Sequence, residues 1–322
     1  MCAKYTAKTE MIPGLEIEQI VLEGEGQVAK LAPAKGGNLF SYVVDGLEML
    51  ETPANFDGAG TGYGFPVMFP YANRIVDATF QFKDKKYQVV KNGVPKVLHG
   101  IVNDEAFTVE DVCACEDKAS ATISIEFAPG GVLYTIFPFY LKLYMTYSIS
   151  KDGLRLDWAV ENKDSKEAPF GFGVHTFFNK LDPVTDTYVT VPNRLMMETD
   201  NCYPTRKMLD TQGTSWDLSE GKCLAEMNFD NLFGGFDSTK VSTIEYRKSG
   251  RKLELRASDD MKYMVIFTPP MRAGGFCLEN QTNATDGFNM LAQGKKDMGN
   301  VIVLPAGGRH EGWITLQAGY LK

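Results

Sequence analysis

The chain has 322 residues, 44% hydrophobic and 23% charged, and a formal net charge of −8 from 41 acidic and 33 basic residues. Such a composition supports a sizeable buried core rather than disorder, and the negative balance without a long basic run disfavours nucleic acid as a partner. No stretch approaches the roughly 18 apolar residues of a membrane helix, and MCAKYTAKTEMIPG has no signal-peptide core, so the expected location is the cytoplasm, away from membranes.

In chain order, the first distinctive run is GAGTGYGFP at 58–66. A nucleotide-binding loop would need a helix after it, but FPVMFP follows with two prolines, so a turn-rich surface loop is expected. TFQFKDKKYQV then reads as a hairpin across a charged turn. VCAC would put Cys113 and Cys115 on one strand face, where a metal or disulfide pair is conceivable. The six cysteines form no CxxC spacing, however, and scattered reduced thiols with no bound metal are expected.

ATISIEF, YLKLYMTYSI, LRLDWAVEN, TYVTV, RKLELRAS, KYMVIFT and NVIVLPA follow as short β-branched and aromatic runs, many alternating apolar with polar. SISKDGLRLDWAV is a second hairpin, reversing at Gly153. Such short links predict antiparallel pairing, and many short strands predict an all-β sandwich or barrel. No repeat, low-complexity tract or linker divides the chain.

Only three histidines occur. His310, in GGRHEGW, reads as a surface residue in a turn. His99 in KVLHGIV and His175 in FGFGVHTFF lie beside apolar residues and glycines. On a strand, Gly171 and Gly173 share the face of His175, which would leave room there for a ligand. A histidine lining a cavity can hold and release a proton near neutrality. Glu279 in GGFCLENQTN follows three apolar residues, where a carboxylate is costly unless received by neighbours such as Asn280 and Gln281 or by a ligand. Arg74 in FPYANRIV and Asp237 in FGGFDST carry the fork of donors and the paired acceptors that fix sugar hydroxyls, though each serves equally well in a structural ion pair.

Taken in order, FPYANRIVDATFQFKDKKYQV, VLHG, GVHTFFN, GFD, GRKLELRASDDMKYMVIFT, GFCLENQTNATDGFN and VLPAGGR resemble the aldose 1-epimerase, or galactose mutarotase, family. The resemblance implies a large antiparallel β-sandwich in a single domain over 1–322. It also implies interconversion of the α and β anomers of a free sugar, with no metal or organic cofactor, by a monomer or homodimer.

Carried over residue by residue, it makes Glu279 the general base on the C1 hydroxyl and His175 the general acid on the ring oxygen. His99 assists near that oxygen, while Asn73, Arg74 and Asp237 hold sugar hydroxyls. These residues should converge on one open pocket, with Glu279 ionised and His175 protonated on opposite sides of the sugar. The chain departs from the family's common pattern at His99-Gly100-Ile101, where a second glycine is usual, at TFFNK after His175, and at FTPPMRAGG before Glu279, all of which bear on which sugar fits.

A related glucose-6-phosphate 1-epimerase would need basic residues for phosphate. Arg272 and Lys262 lie in suitable segments but form no arginine cluster. A carbohydrate-binding protein without catalysis would have lost the acid or the base. A glycoside hydrolase would use a carboxylate pair, for which Asp237 and Glu279 are candidates, but would leave both pocket histidines without a task. Two sequons, at Asn280 and Asn283, are read as accidental.

Overall fold

A computed structural model describes residues 4–53, 62–201, 203–237, 239–270, 272 and 274–321. It is all-β, with 51% of residues in strands and 8% in helices. A five-stranded meander runs from Tyr5–Met11 to Leu47–Glu48 in chain order. A nine-stranded antiparallel sheet takes the order Thr108–Ala114, Lys118–Glu126, Leu141–Ser150, Gly153–Asn162, Arg309–Tyr320, Arg251–Ala257, Ser242–Tyr246, Thr187–Thr190 and Lys222–Cys223. An eight-stranded sheet is centred on Asp230–Gly234, Tyr263–Phe267 and Gly275–Gln281. The last of these strands pairs with the short strands Gly173–Val174 and Phe177–Asn179.

Alternation in sequence becomes alternation in burial. In Leu141–Ser150 the side chains of Leu141, Leu143, Met145, Tyr147 and Ile149 are fully buried, and the Lys, Tyr and Thr between them are half-buried. Each apolar side chain so removed from water contributes about 1.5–3 kcal/mol. Gly153 turns this strand back at φ +98°, where a Cβ would stand 2.4 Å from the Leu316 carbonyl oxygen, so glycine is required. The two predicted hairpins and the strand runs are all present, NVIVLPA being reduced to Ile302–Leu304.

One buried cluster reaches from Tyr5 to Leu316 and fills the space between the large sheets. Trp158 of the nine-stranded sheet stacks on Phe172 at 4.5 Å. Phe170, Phe172, Val174, Phe276 and Leu278 all belong to this cluster. Their odd-numbered neighbours therefore face the outer side of the eight-stranded sheet. There Leu232, Tyr263 and Val265 form a smaller cluster with Ala284 and Met290, the latter from the helix Gly287–Ala292. The candidate chemistry lies on this outer face.

Two sequence expectations change, at His310 and in the glycine-rich loop, and the described cysteines are as expected. His310 is not in a turn: it pairs with Val160 inside strand Arg309–Tyr320, and its ring bonds Asp260 Oδ2 at 3.0 Å. Cys113 and Cys115 are exposed free thiols, the first within 3.3 Å of the Ser120 hydroxyl. Of GAGTGYGFP, residues 58–61 lie outside the described residues; Gly62 to Pro66 are not helical, as expected, but Tyr63 to Pro66 are buried rather than on the surface, and they lead into strand Val67–Met68. No described helix is long and apolar enough to cross a membrane.

Candidate active site

Strand Gly275–Gln281 is buried along its whole length. Its neighbours Gly173–Val174 and Phe177–Asn179 share one register, with Gly173 opposite Gln281 and Phe177 opposite Cys277. That register sets residue 175 opposite residue 279 on the outer face. Between the two short strands the chain leaves the ladder, and the His175 N–H donates instead to the Pro66 carbonyl at 2.9 Å. The result is a cross-strand pair: His175 Nε2 lies 3.2 Å from Glu279 Oε1, with side-chain exposures of 17% and 2%.

His99 arrives from a different segment. The Asn73 carbonyl accepts its N–H at 2.9 Å, and Arg74 bridges Leu98, so the Asn73–Arg74 backbone acts as a shelf for it. His99 and Gly100 are both left-handed, at φ +60° and +68°, an uncommon state for a histidine that is held only by surrounding structure. The His99 ring meets the His175 ring edge to face at 5.0 Å. One donor atom from each of His99, His175 and Glu279 lies within 4.8 Å of the others. Two imidazoles and a carboxylate form a set that also suits a zinc ion.

Behind His175 is a three-layer stack. Phe177 lies parallel to its ring at 4.4 Å and 7°, and the Arg272 guanidinium covers the Phe177 ring at 4.6 Å. Arg272 is itself held by Glu51 Oε2, at 2.6 Å from Nη2, and by the Gly62 carbonyl at 2.7 Å.

Burial pushes the His175 imidazole down from 6.5 to about 4, with the Arg272 charge assisting. Burial holds His99 well below its ordinary value, with His175, Lys96 and Arg74 adding to the effect. Glu279 is held well above its ordinary value by burial and then by the charge of Asp230. Burial thus disfavours the expected ionised Glu279 and protonated His175. It favours the neutral carboxyl and the neutral imidazole. The proton count is nonetheless the same, since either arrangement puts one proton on the pair.

The outer donors and acceptors of the cluster are unsatisfied. Buried His99 Nδ1, His175 Nδ1, Glu279 Oε2 and Arg74 Nε have no hydrogen-bond partner among the described residues. Leaving such groups buried and unpaired costs about 1–3 kcal/mol each. Arg74 leans over the Tyr203 ring at 5.6 Å, and its charge is felt by both His99 and Asp230.

Two expectations about the pocket walls are corrected. Gly171 and Gly173 make room for protein rather than for a ligand. A Cβ at Gly171 would stand 1.8 Å from Asn283 Oδ1, and one at Gly173 would stand 2.8 Å from Gln281 Cβ and Met68 Cε. Asn283, 1% exposed, uses that space to bond the Ala72 backbone on both sides, at 3.0 and 2.9 Å, and so ties the Arg74 loop to the sheet. That burial also explains why its sequon is accidental.

Asp237 does not join the cluster. It lies beyond the left-handed Gly235, bonds its own Thr239 at 2.6 Å, and lines a separate surface hollow with Arg194 and Lys240. The carboxylate that does approach is Asp230. Leu232 pairs with Val265, and Val265 with Glu279, so Asp230 shares the outer face with Glu279. Asp230 is the residue whose charge acts on Glu279, and the Arg74 charge acts on it in turn. NFDNLFGGFD contains two Phe-Asp pairs. Pairing DNLFG with YMVIF would have singled out the first.

The fold is that of galactose mutarotase-like proteins. A galactose mutarotase-like protein from Clostridium acetobutylicum superposes with a TM-score of 0.88 over 99% of both chains at 23% identity. A galactose 1-epimerase from Lactobacillus acidophilus gives 0.76 over 99% of this chain and 100% of that one at 17% identity. Human galactose mutarotase is 28% identical over 247 residues, 68% of this chain and 69% of that protein. The family model named Aldose 1-epimerase matches residues 18–317. The chain belongs to the aldose 1-epimerase family.

Proposed function

We propose that the protein is a mutarotase acting on a free aldose, with His175 and Glu279 as its proton-transfer pair. The observation that carries this reading is their 3.2 Å contact on one face of the sheet, between side chains whose charged forms are both disfavoured by burial. The anomeric hydroxyl oxygen and the ring oxygen are both bonded to C1, so an acid and a base side by side suit the reaction better than a pair facing each other across the sugar.

In the reactive form the shared proton sits on His175. Glu279 takes the proton of the C1 hydroxyl, the C1–ring-oxygen bond breaks as the C1 carbonyl forms, and the released ring oxygen takes the proton from His175. Ring opening therefore ends with both side chains neutral, the state that burial favours. After rotation about C1–C2, Glu279 returns a proton to the carbonyl oxygen and His175 removes one from the attacking hydroxyl. Each proton transfer contributes roughly 10²- to 10⁴-fold. His99, kept neutral, hydrogen-bonds near the ring oxygen, while Arg74 and Asp230 hold hydroxyls.

An unphosphorylated sugar is favoured because Arg272 is already engaged by Glu51 and stacked on Phe177, and because Lys262 lines a different cleft. Polarimetry on freshly dissolved α-glucose, α-galactose and α-xylose tests the function. No acceleration with any of them would sink it.

Asp230→Asn is expected to raise KM by about tenfold, the loss of a charge-assisted hydrogen bond, whereas Asp237→Asn leaves kcat/KM within twofold of wild type. Equal effects from the two substitutions would reject the assignment of Asp230. The pH profile is a further check. The pair carries one proton between the lowered His175 value, about 4, and the raised Glu279 value. The acid limb of kcat/KM should accordingly fall below 6.5, and the alkaline limb above the ordinary carboxylate range. An acid limb at 6.5 or higher contradicts this account.

A further inference from the structure

A cleft of about 490 Å³ opens between the two large sheets. It lies on the reverse of strand Gly275–Gln281, where Asn280 faces it while the neighbouring Glu279 faces the acid–base pair. Asn280 and Ser242 line this cleft at 7% and 8% exposure, and neither side chain has a hydrogen-bond partner among the described residues. Their amide and hydroxyl thus face the cleft with donors and acceptors free to bond a ligand there.

The rest of the lining narrows the chemistry of that ligand. Trp313 and Phe236 supply apolar surface, and Lys240, Lys262 and Arg256 supply cations against a single acid, Asp259. Arg256 leans on Glu254 at 3.5 Å, but Lys240 and Lys262 make no ion pair among the described residues. Positive charge is thus concentrated here in a chain of net charge −8, and the volume suits a small metabolite.

We propose that this cleft binds a phosphorylated sugar at a site separate from the acid–base pair. Lys240 and Lys262 receive the phosphate, Asn280 and Ser242 bond the hydroxyls, and the aromatic walls take the C–H face of the ring. The inference does not depend on the mutarotase reading, because it uses none of the residues of that reaction.

Calorimetric titration and indole fluorescence with glucose 6-phosphate, inorganic phosphate and glucose test it. Glucose 6-phosphate should bind wild type and Glu279→Gln alike. Binding to the double variant Lys240→Glu/Lys262→Glu should be at least about tenfold weaker, with its circular dichroism and its rate on α-glucose unchanged. Absence of binding overturns the proposal, as does inorganic phosphate binding as tightly as the sugar phosphate. Binding lost in Glu279→Gln but kept in the double variant would move the ligand to the acid–base pocket and overturn it equally.

Discussion

Glu279→Gln is expected to lower kcat for anomer interconversion by about 10²- to 10⁴-fold with little change in KM. Glutamine fills the same volume and keeps a polar contact with His175, but it accepts no proton from the C1 hydroxyl. The variant should be at least as stable as wild type, because the residue is 1% exposed and an amide there carries no ionisation penalty. His175→Asn should lose activity by a similar factor, and the double variant should lose little more than either alone, since the two groups act as one unit. Polarimetry measures the rates, and a melting curve separates lost chemistry from lost fold. Wild-type rates in both single variants would remove these residues from the mechanism.

Gly100→Ala is expected to be the most damaging single methyl addition near the site. Its φ is +68°, and a Cβ there would stand 2.2 Å from the Phe69 carbonyl oxygen, with the Phe69 carbonyl carbon and nitrogen at 2.5 and 2.6 Å. Backbone atoms cannot swing aside as a side-chain tip can. Left-handed strain of about 1–2 kcal/mol and overpacking of about 1–3 kcal/mol together predict a loss of about 2–5 kcal/mol. For a chain of this length that corresponds to a fall in Tm of about 3–7 °C. Because Gly100 follows His99, kcat should fall as well even where the variant folds. A control is Gly93→Ala, also left-handed at φ +76° but with nothing within 4 Å of the added Cβ. It should lose only the strain, about 1–2 kcal/mol.

Local patterns in the sequence carried the strands, because period-two alternation depends only on a residue's immediate neighbours. LRLDWAVEN and RKLELRAS are strands for the reason their spelling suggests. Candidate site residues were legible where a motif pointed to them, as with His99, His175 and Glu279, which the fold brings together. What failed depended on pairing between distant segments. The space beside Gly171 is filled by Asn283, a residue far along the chain, and no local reading of FGFGVH shows that. Asp230 and Asp237 stand in similar local contexts, and only the pairing through Val265 separates them. The raised proton affinity of Glu279 likewise follows from burial that many segments create together.

The shared register of His175 and Glu279 has a consequence for how such a protein can change. His175 lies between two short strands that both pair with the strand of Glu279, so the separation of the two side chains is set by the ladder on either side of it. Acid and base therefore hold their separation as long as the sheet survives. The groups proposed to hold the sugar hydroxyls, Arg74 and Asp230, come from a loop and from the margin of a strand. Preference among sugars can then drift by altering these rims, while the distance over which the proton moves stays constant.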